Sequence, residues 1–94
     1  MLESRLFSEF FMAIANDPRI GSTHISIYMA LLQYWKDQYY ITPFHAFSRD
    51  IMRIAKVSAS ATYHKAIWDL NNFGYIRYEP SFKRNQGSKI HIYC

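Results

Sequence analysis

Cysteine is almost missing from this chain: Cys94, the last residue, is the only one. No intrachain disulfide can form and no thiolate zinc cluster can be assembled, which fits a reducing compartment. Glycine and proline are scarce, three of each and scattered, so neither a flexible linker nor a collagen-like run is present. Long apolar runs are lacking too. The first twenty residues interleave Glu3, Arg5, Glu9, Asp17 and Arg19 with apolar positions, unlike a signal peptide or a membrane helix. A cytoplasmic location is expected. Catalytic signatures are equally absent: there is no phosphate-cradling glycine loop and no nucleophile elbow around any serine. Asp50, Asp69 and Glu79 make no recognisable acid pair. His24, His45, His64 and His91 stand 21, 19 and 27 residues apart, unlike close-spaced zinc ligands. The expectation is a chain without enzymatic activity, cofactor or metal.

What is abundant is apolar and aromatic. Half of the 94 residues are apolar, and eight Tyr, seven Phe and two Trp are far from the composition of a disordered chain. The length suits one domain, residues 1–94, with one core. Net charge is +4, but it is unevenly placed. Residues 1–47 carry Arg5, Arg19 and Lys36 against four carboxylates. Residues 48–94 carry Arg49, Arg53, Lys56, Lys65, Arg77, Lys83, Arg84 and Lys89 against Asp50, Asp69 and Glu79. All of the excess positive charge lies in the second half, as a face that binds a polyanion requires, although a charged half can also be a solvated surface.

Hydrophobic periodicity divides the chain into elements. Leu6, Phe7, Phe10, Phe11 and Ile14 recur at helical spacing within residues 2–15, and Asp17-Pro18 ends the pattern. Ser22 or Thr23 can cap a second helix whose apolar face is Ile25, Tyr28, Leu31, Leu32 and Trp35. Tyr39-Tyr40-Ile41 reads as a short β-prone run stopped by Thr42-Pro43, with a connecting loop through Phe47. Ser48 reads as the N-cap of a two-turn helix bearing Ile51, Ile54 and Ala55. A bend at Val57-Ser58-Ala59-Ser60 follows. From about Ser60 to Phe73, Tyr63, Ala66, Ile67, Leu70 and Phe73 define another helix, and Gly74 supplies its stop. The period then changes to two at Ile76 and Tyr78, and again at Ile90 and Ile92, predicting a β-hairpin whose extended tip gathers Lys83, Arg84 and Lys89. The class expected is α+β.

The stretch Ile51-Met52-Arg53-Ile54-Ala55-Lys56-Val57-Ser58, then Ala61-Thr62-Tyr63-His64-Lys65-Ala66-Ile67-Trp68-Asp69-Leu70, then Asn71-Asn72-Phe73-Gly74-Tyr75-Ile76 resembles winged helix-turn-helix proteins. The shared pattern is a short helix, a valine-serine turn, a recognition helix and a glycine-aromatic-isoleucine lead-in to the wing. Ala61 to Lys65 with Pro80-Ser81 and Gly87-Ser88-Lys89 is also similar to small winged-helix proteins of bacterial conjugative and other mobile elements. The resemblance covers about residues 22–93. It departs in a turn one residue longer than is common, and the N-terminal helix, residues 1–20, matches nothing in the pattern. It implies a three-helix core with a β-hairpin wing, and sequence-specific binding of double-stranded DNA in transcriptional regulation or control of a mobile element.

A B-form major groove admits one α-helix, whose outward side chains read base edges. The outward set of the third helix of that core is Thr62, His64, Lys65, Trp68, Asp69 and Asn72. Ser60, Thr62, His64 and Lys65 lie in its N-terminal half, and Lys65 can bond guanine acceptors or a phosphate. Arg49 sits where a helix N-terminus favours a phosphate. Lys83, Arg84, Asn85 and Lys89 suit a phosphate backbone or a minor groove. Trp68 can pack beneath the N-terminal helix, join a dimer interface or lie against DNA. The aromatic stripe of residues 2–15 predicts a homodimer. Two other readings remain at this stage: a winged-helix module that docks a protein through that stripe and Trp68, and a piece of a plasmid-type replication initiator.

Overall fold

The apolar periodicity of residues 2–15 becomes α1, Leu2–Ile14. Its stripe is wider than the surface it packs on: Leu6 and Phe10 are buried, whereas Phe7 and Phe11 stay 48% and 37% exposed. Phe10 stacks on Tyr28 at 3.9 Å between ring centres and meets Tyr75 edge-on, which seats the helix on the body of the fold. These coordinates are a computed structural model describing residues 2–83 and 85–93, with side chains from Ser4 onward. Met1, Arg84 and Cys94 lie outside the described residues.

The second helix, α2, is Ser22–Asp37. Neither Ser22 nor Thr23 caps it: Gly21 is the N-cap, and His24 in the first turn accepts the Gly21 N–H on Nδ1 at 3.0 Å. That bond performs one half of a capping box, with an imidazole in the place usual for Glu or Gln. Ile27, Tyr28, Ala30, Leu31, Leu32 and Trp35 are buried on its inner face.

The first strand lies elsewhere than Tyr39-Tyr40-Ile41. The N–H groups of Gln38, Tyr39 and Tyr40 bond back to the carbonyls of Tyr34, Trp35 and Lys36, and Tyr39 and Tyr40 take positive φ of 60° and 61°. Open carbonyls at the end of α2 thus outcompete the β propensity of the tyrosines. The strand β1 forms beyond Pro43, at Phe44–Ala46, inside the segment expected to be a loop.

Two short helices follow, α3 at Ser48–Ala55 and α4 at Ser60–Asn72. Phe47, rather than Ser48, is the N-cap of α3. Lys56 ends α3 in the left-handed conformation, φ 62°, while the Val57 N–H bonds back to the Met52 carbonyl. Residues 56–59 therefore make a four-residue turn, the long end of the usual range for two helices so joined. Ser26 of α2 donates to the Ala55 carbonyl and fixes the end of α3.

Gly74, at φ 89°, turns the chain from α4 into β2, Ile76–Glu79, and β3 is Ser88–Ile92. The three strands pair antiparallel in the order β1-β3-β2. Ile90 lies between Phe44 and Tyr78, Ile92 faces Ile76, and Ser88 faces Ala46. With period two, Phe44, Ala46, Ile76, Tyr78, Ile90 and Ile92 all turn inward to one core shared with Ile51, Tyr63, Ile67 and Leu70. The expected hairpin forms, but β3 begins two residues before its apolar alternation: Lys89 pairs with Glu79 of β2 as well as with His45 of β1, and Ser88 pairs with Ala46 of β1. The result is an α+β fold of four helices and one small antiparallel sheet among the described residues. No helix among them is long and apolar enough to cross a membrane.

Candidate functional site

The core positions of α4 decide which of its residues face outward. Tyr63, Ala66, Ile67 and Leu70 are buried, so Ser60, Thr62, Lys65, Trp68 and Asn72 are left exposed and His64 and Asp69 half-buried. These two half-buried residues mark the two edges of the outer face, and each edge meets a different neighbour.

On one edge Asp69 reaches α2. Its Oδ2 accepts from Nε2 of His24 at 2.9 Å and from Nζ of Lys65, one turn back on α4, at 3.2 Å. Since Nδ1 of His24 already accepts the Gly21 N–H, the ring proton belongs on Nε2. Hydrogen bonding to His24, then to Lys65, holds the Asp69 carboxyl below its ordinary range. Lys65 is thereby paired, yet its side chain remains 79% exposed. Thr62 is exposed, with no polar partner among the described residues.

On the other edge α4 faces the β2–β3 connection. Trp68 packs edge-on against Tyr78, ring centres 4.9 Å apart, rather than beneath α1. His64 turns back along the helix and donates from Nδ1 to the Ser60 carbonyl at 2.9 Å. An open cleft of about 500 Å³ runs here, walled by His64 and Trp68 of α4, Ser48 at the start of α3, and Phe82, Lys83 and Gln86 of the connection. Arg49 adjoins it: exposed, its guanidinium lies over the Phe47 ring at 4.6 Å. Lys83 and Asn85 are exposed along the connection.

Lys89 is placed differently from its expected position at the tip. It is the second residue of β3, half-buried on the outer face of the sheet, directly opposite Glu79 on one side and His45 on the other. The reason is Gly87, whose backbone runs against Ala46. A Cβ there would come within 2.5 Å of the Ala46 carbonyl carbon, and the Gly87 carbonyl accepts from Nδ1 of His45. The strand is locked to β1 from that point, and Lys89 goes with it. Glu79 is occupied as well, accepting from His91 Nε2 at 2.9 Å with Arg77 at 3.8 Å. Those neighbours, His91 first, keep its carboxyl low. Arg84 lies outside the described residues.

The fold thus brings His64 and Lys83 to one cleft, leaves Arg49 and Asn85 exposed next in sequence to the lining residues Ser48 and Gln86, sets Ser60, Thr62 and Lys65 along the adjoining helix face, and separates Lys89 onto the sheet. Sequence reasoning passed over Phe82. The signal for Phe82 was a lone aromatic in a polar loop, matching no helical or strand period. Among the described residues no group of three or more His, Cys, Asp or Glu could hold a metal ion. The chain matches no protein-family model, no curated protein and no solved structure.

Proposed function

We propose that this chain is a winged helix-turn-helix module that binds double-stranded DNA without catalysis, in transcriptional regulation or control of a mobile element. In this reading α3, the four-residue turn and α4 are the helix-turn-helix, and β2, β3 and their connection are the wing. The observation that carries it is the exposed outer face of α4, bearing Thr62 and Lys65, beside a cleft closed on its far side by the Lys83-bearing connection. One helix with a flanking cationic arm matches the width of a B-form major groove and the phosphates beside it.

The N-terminal half of α4 enters the groove, Lys65 and Thr62 reach base edges, and Arg49, Lys83, Asn85 and Arg84 lie along the backbone. Lys65 exchanges its bond to Asp69 for one to a guanine or a phosphate, so the free protein keeps its reading cation ordered and paired. His64, drawn back onto Ser60, shapes the groove-facing surface more than it donates to it.

The exposed rings of Phe7 and Phe11, in contact at 4.9 Å, and the 76% exposed Met12 support a homodimer through α1. Two copies then read half-sites about one helical turn or a multiple apart. Titration of a labelled duplex at several salt concentrations tests the reading: log K falling linearly with log salt supports it, and salt-independent or absent binding refutes it. A monomeric mass by light scattering at micromolar concentration removes the dimer and leaves the rest.

A further inference from the structure

Phe82 is 97% exposed, more than any other large apolar side chain among the described residues. No ring contact involving it occurs among them. Hydrogen bonds nevertheless tie down its neighbours: Ser81 Oγ accepts the Lys83 N–H at 3.2 Å, and the Lys83 carbonyl accepts the Gln86 N–H at 3.3 Å. The other rings near this face are already occupied, the exposed Trp68 by Tyr78 and the half-buried His64 by Tyr63. A phenyl ring held in water forgoes the gain of burial, and this one gives no packing to the fold in return.

Its sequence neighbours indicate the occupant. Lys83, Arg84, Asn85 and Gln86 follow it in sequence, so a single apolar side chain heads a polar, cationic stretch. A lipid surface is poorly matched by one ring, because membrane anchoring needs a larger apolar face or a second signal. A duplex is well matched: its phosphates suit the cationic stretch, and the apolar region it offers is the stacked interior between base pairs.

We propose that Phe82 is a wedge that enters the minor groove beside the α4 site, inserts between two base pairs and kinks the duplex. The inference rests on the DNA-binding reading and adds to it a deformation of the target. Insertion unstacks one step, so pyrimidine–purine steps, which unstack most easily, are preferred under the wing. Specificity at that position then comes from deformability, without a hydrogen bond to a base.

The test uses a short duplex carrying a TA step and labelled at both ends for energy transfer, titrated with the wild-type chain, Phe82→Ala and Phe82→Leu. The ring contributes nothing to the core, so circular dichroism of all three should coincide. Expected are a shortened end-to-end distance with the wild type and with Leu, and no shortening with Ala. Ala should also bind at least about fivefold more weakly while keeping the same salt slope. Wild-type binding without shortening, or an Ala variant equal to the wild type in affinity and distance, overturns the wedge and leaves the DNA-binding reading standing. No binding of the wild type to any duplex overturns both.

Discussion

The imidazole of His24 and the carboxylate of Asp69 meet at 2.9 Å across the contact between α2 and α4, though 45 residues separate them in sequence. This one bond joins three tasks. His24 caps α2 through its other nitrogen, Asp69 fixes the rotation of α4 against α2, and the same carboxylate oxygen holds Lys65.

Replacing Asp69 by Asn keeps an oxygen for His24 but removes the charge. The Asp69 carboxyl is harder to protonate in the fold than in the unfolded chain. Its contribution to stability is therefore complete above the ordinary carboxyl range and is lost as pH falls through the lowered value. The wild type should lose stability on acidification below about pH 4, and Asp69→Asn should remove part of that loss, leaving the share of Asp17 and Glu79. At neutral pH the variant should cost no more than about 1 kcal/mol in urea unfolding. Duplex affinity should rise, because Lys65 no longer leaves an anionic partner. An unchanged acid limb contradicts the assignment.

Two glycines should respond unequally to alanine. At Gly74 the cost is a left-handed φ of 89° with open space around it, about 1–2 kcal/mol. At Gly87 the new methyl meets the Ala46 backbone, which no rotamer change relieves, so Gly87→Ala should cost at least as much as an overpacked core, about 2–3 kcal/mol, and loosen the β1–β3 pair. Thermal unfolding of both variants, with amide exchange at Phe44 to Ala46, checks the order.

The cations of the hairpin should also separate. Lys83 is exposed on the connection, its side chain without a polar partner among the described residues, whereas Lys89 lies in β3 against Glu79 and His45. Lys83→Ala should flatten the slope of log K against log salt by about one unit, and Lys89→Ala by clearly less. Equal slopes for the two variants would return Lys89 to the interface.

Much of this was legible in the sequence wherever one pattern acted alone. The i, i+3, i+4 spacing of Tyr63, Ala66, Ile67 and Leu70 placed α4 and its outer face, and Gly74 placed its end. Legibility failed where two demands competed. Tyr39 and Tyr40 have strand propensity, but the unpaired carbonyls of α2 hold their N–H groups. Ser22 and Thr23 are good caps, but His24 reaches Gly21 first. Phe7 and Phe10 share one helical stripe, and only the position of α2 decides that Phe10 is buried and Phe7 is not. Lys89 looked like tip because Ser88 and Lys89 are polar, yet Lys89 pairs with both Glu79 and His45, and Ser88 pairs with Ala46 of β1, over forty residues away.

Lys65 and Thr62 should carry sequence discrimination. Lys65→Ala is expected to cost about 1–3 kcal/mol on a preferred duplex selected from random sequences, and clearly less on a scrambled one. Thr62→Ala should behave alike with a smaller loss. Neither side chain belongs to the core, so circular dichroism should be unchanged. Equal losses on both duplexes at one salt concentration would move Lys65 to the backbone.

The central claim, that the outer face of α4 and the adjoining connection meet a duplex, is tested most directly by following the backbone amide resonances of the chain as an unlabelled random-sequence duplex is added at low salt. The account predicts shifts concentrated at Ser60 to Trp68, at Arg49, and at Phe82 to Gln86, reversed by added salt, with Phe7, Phe11 and Met12 unaffected. Shifts confined to α1, or no shifts at all, would contradict it.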